Sequence, residues 1–517
     1  MSVMGRRSFL RRAGAAGLGA GLATQPGWLT GCSSGGPGSS ALRELARRVR
    51  GRVVVPGDRG YANARVLFNP RFDGIGPDAV VFCADVRDVE TTMRWADQHD
   101  VPLVPRSGRH SYAGYSTTQG VVLDVSRLDG VEVDLASGTA RIGTGARLID
   151  VYSRLAQQGV SIPAGSCPSV GIGGLTLGGG LGLASRKHSL TIDSLAALDV
   201  VTAAGRVVTC NEHDNPDLFW ASRGGGGGNF GVATAFTFRV FPVDQVSTFI
   251  LEWPWEHAQT LAEIWQQTAP HAPDELFSIF KLAAPGGNTR PKPPAAVRSF
   301  GQYFGPEDEL LALLDPLLGV AAPSTRQIGT SSYFDAQLLW AGCTGTVTQC
   351  HLPVQTPQGT LDRLEFKAKS DYVAAPLPAE AIRTAIDWIE RWPDSTDPNG
   401  AAMQMDAHGG AINRVAPDAT AYVHRDSLFS IQYLTYWRQQ DSPRVADANL
   451  HWIRNFYAAM RPHVSGYAYQ NYIDPDLRDW QHAYYGTNFP RLVDIKRTYD
   501  PHGRFEFRQA IPRRLTK

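Results

Sequence analysis

From Pro77 onward, short apolar runs alternate with stretches whose apolar positions recur every three or four residues. Ala79 to Cys83 has the length of a strand, Asp88 is placed to cap a helix carrying Val89, Met93 and Ala96, and Val101 to Val104 returns as strand. The order predicts a β-α-β entry. Val121 to Val125, a helix from Leu148 to Gln158 closed by Gly159, and a hairpin over Leu198 to Cys210 turning at Ala204-Gly205 extend the same α+β unit. After Pro242 the texture changes to longer runs of period two, such as Phe429, Ile431 and Tyr433 against Ser430 and Gln432. In a helix predicted from Pro378 to Trp392, Ile382, Ile386 and Ile389 share a face. This predicts a second domain, an antiparallel sheet backed by helices, with Pro285 to Pro294 as a surface loop. No internal repeat interrupts the pattern.

A chain of 517 residues exceeds what one core supports, so two or more structural units are expected. Hydrophobic residues at 43% and charged residues at 19% describe a folded globular protein. A formal net charge of +1 provides no basic field, which argues against nucleic acid as a partner. The first residues read differently. Gly5 to Arg12 (GRRSFLRR) pairs arginines ahead of Ser-Phe-Leu, and Ala13 to Leu29 is weakly apolar with five glycines, too mild for a stable membrane span. Residues 1–32 are therefore expected to be a twin-arginine export signal, a route for proteins folded before export. Leu29-Thr30-Gly31-Cys32 resembles a lipobox, so Cys32 is either a lipid-anchored first residue or part of a cleaved leader. Residues 33–45 are expected to be a flexible tether, and the destination is extracytoplasmic in either case.

Six cysteines do not form a disulfide framework in a chain this long, and their spacing gives no zinc site. Cys343 and Cys350 are close enough to bridge; Cys83 and Cys210 sit in apolar runs and are expected to be buried thiols. Cys167 instead lies among glycines. Three glycine-rich segments, Arg106 to Gly114, Gly165 to Gly182 and Arg223 to Thr234, each abut strand-like sequence. Such loops let consecutive amides approach an anion, and three together suit a two-phosphate cofactor. A nicotinamide-type Rossmann site is the rival reading. It needs G-x-G-x-x-G opening a helix after the first strand; GIGGLT from Gly171 lacks the last glycine, and Gly224 to Gly228 makes a poor helix start.

Four separated motifs, RSGRHSYAGYS, GSCPSVGIGGLTLGGGLGLASRKHSL, DLFWASRGGGGGNFGVAT and the C-terminal YQNYIDPDLRDWQHAYYGTNFPRLVDIKRTYDPHGRF, resemble the berberine-bridge-enzyme-like FAD-linked oxidases over roughly residues 50 to 515. The resemblance implies an α+β architecture: a PCMH-type FAD-binding domain (46–243) completed by a C-terminal segment (466–517), with a substrate domain (244–465) inserted between. It implies FAD bound bicovalently through His110 and Cys167, with a cationic histidyl link that raises the flavin potential. Cofactor contacts are implied at Arg106, Ser107, Gly108, Arg109 and Ser111, at Val170, Gly171, Gly173, Gly174 and Gly178, at Gly231 and Val232, and at Asn471 and Asn488. The family more often has glycine at the positions of Arg109 and Ser189; if the first needs a positive φ, arginine is strained there.

The resemblance also places Tyr472 of the N-Y-x-D motif over the flavin as catalytic base, with Asp406 of MDAHGG facing it to help it accept a proton. A small residue three positions after the bonding cysteine, here Val170, implies access for O2 and hence peroxide as product. The expected substrate is an alcohol, either an oligosaccharide hemiacetal or a glycosylated secondary metabolite, which aromatic residues such as Trp340, Tyr422, Tyr433, Tyr436 and Trp437 would stack on if they were not core. A dehydrogenase using another acceptor and a flavin-bearing binding protein without turnover are the alternatives.

Overall fold

In the computed structural model, residues 38–515 are described, positions 290 and 344 excepted. The export motif, Cys32 and the first part of the expected tether lie outside the described residues. The remainder of that tether is not extended. Ser39–Arg48 is a helix, because Ala41, Leu42 and Leu45 recur at helical spacing and pack onto the first core cluster, overriding the Gly/Ser-rich composition before them.

Strands β1 (Arg52–Val54), β2 (Ala79–Phe82), β3 (Leu103–Arg106) and β4 (Val121–Asp124) form a sheet in the order β1-β2-β4-β3, parallel except for β1. Its central strands are buried on both faces, which explains their unbroken apolar runs. The connecting helix, Val86–Gln98, is capped by Asp85 and not by Asp88 as expected. Asp85 has the extended backbone a cap requires and accepts from the Asp88 amide, whereas the Asp88 carboxylate receives the amides of Arg50, Gly51 and Ala84.

A second sheet orders β5 (Val131–Asp134), β6 (Thr139–Gly143), β8 (Leu195–Thr202), β9 (Val207–Cys210) and β10 (Gly231–Arg239) as β5-β6-β10-β8-β9, all antiparallel. The expected hairpin is β8-β9, with Leu198 opposite Cys210. Two short strands, β7 (Val160–Ser161) and β11 (Phe241–Pro242), pair beside it.

The third sheet is antiparallel throughout. It contains β12 (Gln245–Pro254), β13 (Leu276–Ala284), β14 (Ala296–Tyr303), β15 (Thr325–Ser332), β16 (Glu365–Val373), β17 (Ala401–Ala407) and β18 (Phe429–Trp437), in the order β15-β12-β14-β13-β17-β18-β16. Helices Ala258–Thr268, Ala379–Glu390 and Pro443–Met460 cover one face, where Phe429, Ile431 and Tyr433 meet Ile382, Ile389 and Phe456. The opposite face carries Ile279, Lys281, Gln404, Asp406, Gln432 and Tyr436, the period-two partners of those core residues. The fold is thus α+β, as expected. Among the described cysteines, Cys343 and Cys350 form a disulfide with Cα atoms 5.8 Å apart, Cys83 and Cys210 are buried, and Cys167 is exposed.

Candidate active site

The loop after β3 is anchored from behind. Arg106 donates to Asp124 Oδ2 at 2.8 Å and to the Ala64 carbonyl, and Ser107 Oγ donates to the Thr144 carbonyl at 2.7 Å. Arg109 has φ +70°, so the strain expected from an arginine in the family's glycine position is present. Gly108 lies directly against the second glycine loop: a Cβ there would fall 2.0 Å from the Gly171 amide nitrogen. Only glycine lets the two backbones meet.

Together these loops wall a cavity of about 330 Å³. Arg106, Ser107, Gly108, Arg109, His110, Ser111, Cys167, Val170, Gly171, Gly173, Gly174, Gly231, Val232, Asn471 and Tyr472 all line it. Gly178, Asn488 and Asp406 do not. Gly178 is pressed against Asn471 and Gln470, and Asn488 donates to the carbonyls of Pro417 and Thr420, holding a neighbouring loop. Asp406 stands on β17, outside the lining.

The cavity fits FAD by its chemistry. Three glycine loops present backbone to it, a Cβ on Gly174 would meet nothing within 4 Å, and the hydroxyls of Tyr115 and Ser116, which line the wall, are buried without hydrogen-bond partners.

His110 is stacked on Phe68, with ring centroids 4.1 Å apart, and its Nε2 sits 3.0 Å from Ser169 Oγ. Burial and the Arg147 charge pull its pKa down to about 3, which favours the neutral imidazole at neutral pH. Cys167 Sγ approaches the same Ser169 hydroxyl at 4.0 Å and opens into the cavity; the protein around it raises the thiol pKa. Ser169 therefore touches both residues expected to hold the flavin. Sequence reasoning missed it, although it follows Cys167 by two positions.

Tyr472 stacks on Tyr112, with ring centroids 5.3 Å apart and planes within 14°, and meets the edge of Tyr469 at 4.9 Å. Tyr469 is fixed by the Gly180 amide and by Asn471 Nδ2, which donate to its hydroxyl at 2.8 and 3.0 Å. Gln432 Nε2 donates to Tyr112 at 3.2 Å. Burial, and next the Asp406 charge, raise the Tyr472 pKa well above that of a free phenol. Burial likewise pushes Asp406 up to about 7; Gln404 donates to its Oδ1, and its Oδ2 has no partner. Lys281, on the adjacent strand, is pulled down to about 8 by burial. Tyr112, Tyr469, Gln432 and Lys281 were not anticipated; the alternation of strands β13 to β18 held the signal for the last two, and Tyr112 lies two positions after His110. Of the aromatics considered for stacking on substrate, Tyr422, Tyr433 and Trp437 are core, whereas Trp340 and Tyr436 are only partly buried and sit with residues of the open sheet face.

Such a cradle, with glycine loops, a neutral imidazole, an accessible thiol and a buried tyrosine at one cavity, defines an FAD-linked oxidoreductase. Residues 77–211 match the FAD binding domain family and residues 468–512 the berberine and berberine-like family. An uncharacterized FAD-linked oxidoreductase of Bacillus subtilis, YgaK, is 36% identical over 90% of this chain and 97% of its own length. The structure of BBE-like 1 from Physcomitrella patens superposes with a TM-score of 0.83 at 32% identity, covering 92% of this chain and 100% of that one. That of a chitooligosaccharide oxidase gives 0.79 at 25% identity over 92% and 100%. The chain belongs to the berberine-bridge-enzyme-like family of FAD-linked oxidoreductases.

Proposed function

We propose that the protein is an oxidase that carries FAD through two covalent bonds, at His110 and Cys167, oxidises an alcohol or hemiacetal carbon of a carbohydrate-type substrate, and returns hydrogen peroxide. The observation that carries this reading is that His110, Cys167 and Tyr472 line one cavity, with Ser169 touching the first two. Bound FAD would supply the hydride acceptor. The neutral imidazole of His110 and the open thiol of Cys167 suit bond formation to it. Tyr472 is the group at the substrate hydroxyl, held by its stack on Tyr112, and Asp406 is the final proton acceptor. A phenol of raised pKa does not ionise by itself near neutral pH, whereas a carboxylate with a pKa of about 7 takes up the proton that Tyr472 hands on.

The sheet face joined to the cavity wall by the Gln432–Tyr112 hydrogen bond mixes Lys281, Gln404 and Gln432 with Phe300, Trp340 and Tyr436, a surface suited to sugar hydroxyls and ring faces. The chitooligosaccharide oxidase neighbour agrees with that substrate class. Val170 on the cavity wall supports access for O2. The paired arginines near the N-terminus support export of the folded, flavin-loaded protein to an extracytoplasmic site, with Cys32 as a lipid anchor if the lipobox is used.

The test is an intact mass of acid-denatured protein followed by peroxide assays on oligosaccharides and aromatic alcohols. A mass equal to chain plus FAD and sugar-dependent peroxide are expected. Tyr472→Phe should slow flavin reduction by about 10²–10⁴ and leave reoxidation by O2 unchanged. A bare chain mass would overturn the covalent link; flavin reduction without peroxide would make the protein a dehydrogenase.

A further inference from the structure

A second cavity, of about 590 Å³, shares Arg109 with the first but not His110. Arg52, Arg109, Arg127 and Arg147 line it, together with Asp129, Asp150 and His351. One of its two carboxylates, Asp150, is committed, as is Asp124 behind it. Asp150 Oδ2 lies 2.9 Å from His351 Nε2, and Asp124, behind the wall, is shared by Arg106 at 2.8 Å and Arg109 at 3.6 Å. Four guanidiniums (Arg52, Arg109, Arg127, Arg147) thus line the cavity against two carboxylates (Asp129, Asp150). Among the described residues, Arg52 and Arg127 have no ion-pair partner. Arg109 and Arg147 are 4% and 6% exposed, and the Nε of each is buried without a hydrogen-bond partner.

Two further features separate this arrangement from ordinary surface charge. Arg109 adopts a left-handed backbone, a strain that persists where the surroundings over-determine it, and its guanidinium is fixed at this wall by donating to the carbonyls of Asn63 at 2.7 Å and Val66 at 3.2 Å. Burial and the neighbouring Arg106 draw the Arg109 pKa down to about 9, as happens when cations crowd without enough counter-charge. A forked guanidinium is matched by an oxyanion that accepts two parallel hydrogen bonds.

We propose that this cavity is a binding site for an oxyanion of at least two negative charges, a phosphate monoester or a polycarboxylate, clamped by Arg127 and Arg147 together with Arg109, the residue it shares with the wall of the flavin cradle.

Isothermal titration of the flavin-loaded protein at low ionic strength tests this, with inorganic phosphate in one arm and citrate in the other. Loaded protein is used so that the flavin diphosphate is not the anion being measured. One-to-one binding in at least one arm is expected; the tighter arm distinguishes phosphate from carboxylate chemistry. Arg127→Ala should weaken it at least tenfold without changing flavin content, and Arg109→Gly should abolish it. Absence of binding in both arms would overturn the proposal. So would equal affinity in wild type and in the Arg52→Ala/Arg127→Ala double variant, since the probes would then be binding elsewhere.

Discussion

Asp406 is a carboxylate whose ionisation falls at working pH, because burial lifts its pKa to about 7 while Lys281 and Gln404 only partly offset the lift. The reductive half-reaction should therefore accelerate as pH rises through about 7, and Asp406→Asn should flatten that profile as well as slow it, as read by stopped-flow flavin reduction. The same shift has a stability consequence. An unfolded aspartate titrates near ~3.9, so between about 4 and 7 the native state holds the proton more tightly than the unfolded one, and stability falls as pH rises across that window. Asp406→Asn should consequently raise Tm relative to wild type above pH 7, with the gain vanishing in acid; a constant difference at all pH values would mean that the carboxylate is not the titrating group. On the proposed two-bond attachment, His110→Ala and Cys167→Ala should each retain flavin through the other residue, and the double variant should release it on denaturation. Loss of all covalent flavin in either single variant would show that one bond depends on the other.

Arg425 joins the loop after β17 to the short helix Thr191–Ser194 with two hydrogen bonds, 2.8 and 2.9 Å, to the two oxygens of Asp193. The pair is nearly sealed, at 1% and 10% side-chain exposure. Removing one partner leaves the other charge stranded, so Arg425→Ala should destabilise the protein by about 3–5 kcal/mol in chemical denaturation. What the sequence disclosed at this scale was periodic: the β8-β9 hairpin, the alternation that divides β17 and β18 into a helix-facing side and an opposite side, and the glycine loops. What it hid was decided by competition or by distance. Asp85 and Asp88 are equally able to cap, and only the backbone of the former is extended. Ser169 meets His110 across 59 positions and Gln432 meets Tyr112 across 320, contacts that no local spacing encodes. Arg109 was legible because a family habit of glycine signals a backbone geometry, and φ +70° supplied it.

The flavin cradle is built from chain segments far apart in sequence, so its integrity depends on how the last fifty residues are tied to the rest of the chain. Two buried cation sites make the tie. Lys367 and Lys369 of β16 both donate to Asp474, two positions beyond Tyr472, and thereby couple the large sheet to the tyrosine. On the other side Lys496, in the helix Phe489–Tyr499, donates to the carbonyls of Asn229 and Phe505 at 2.7 Å each and pairs with Asp500 at 2.8 Å, with 2% and 0% of the two side chains exposed. Asn229 follows the run of five glycines, and Phe505 lines the cavity. Lys496→Met should therefore act on both counts: about 3–5 kcal/mol of lost stability from the orphaned Asp500, and a lower fraction of covalently loaded protein in the intact mass because the third glycine loop is no longer held. Adding Asp500→Asn should restore part of the stability, with a coupling energy above about 1 kcal/mol for residues in one network, but not the loading. Restoration of both would mean that the lysine serves only its ion pair and that the glycine loop is positioned without the C-terminal helix.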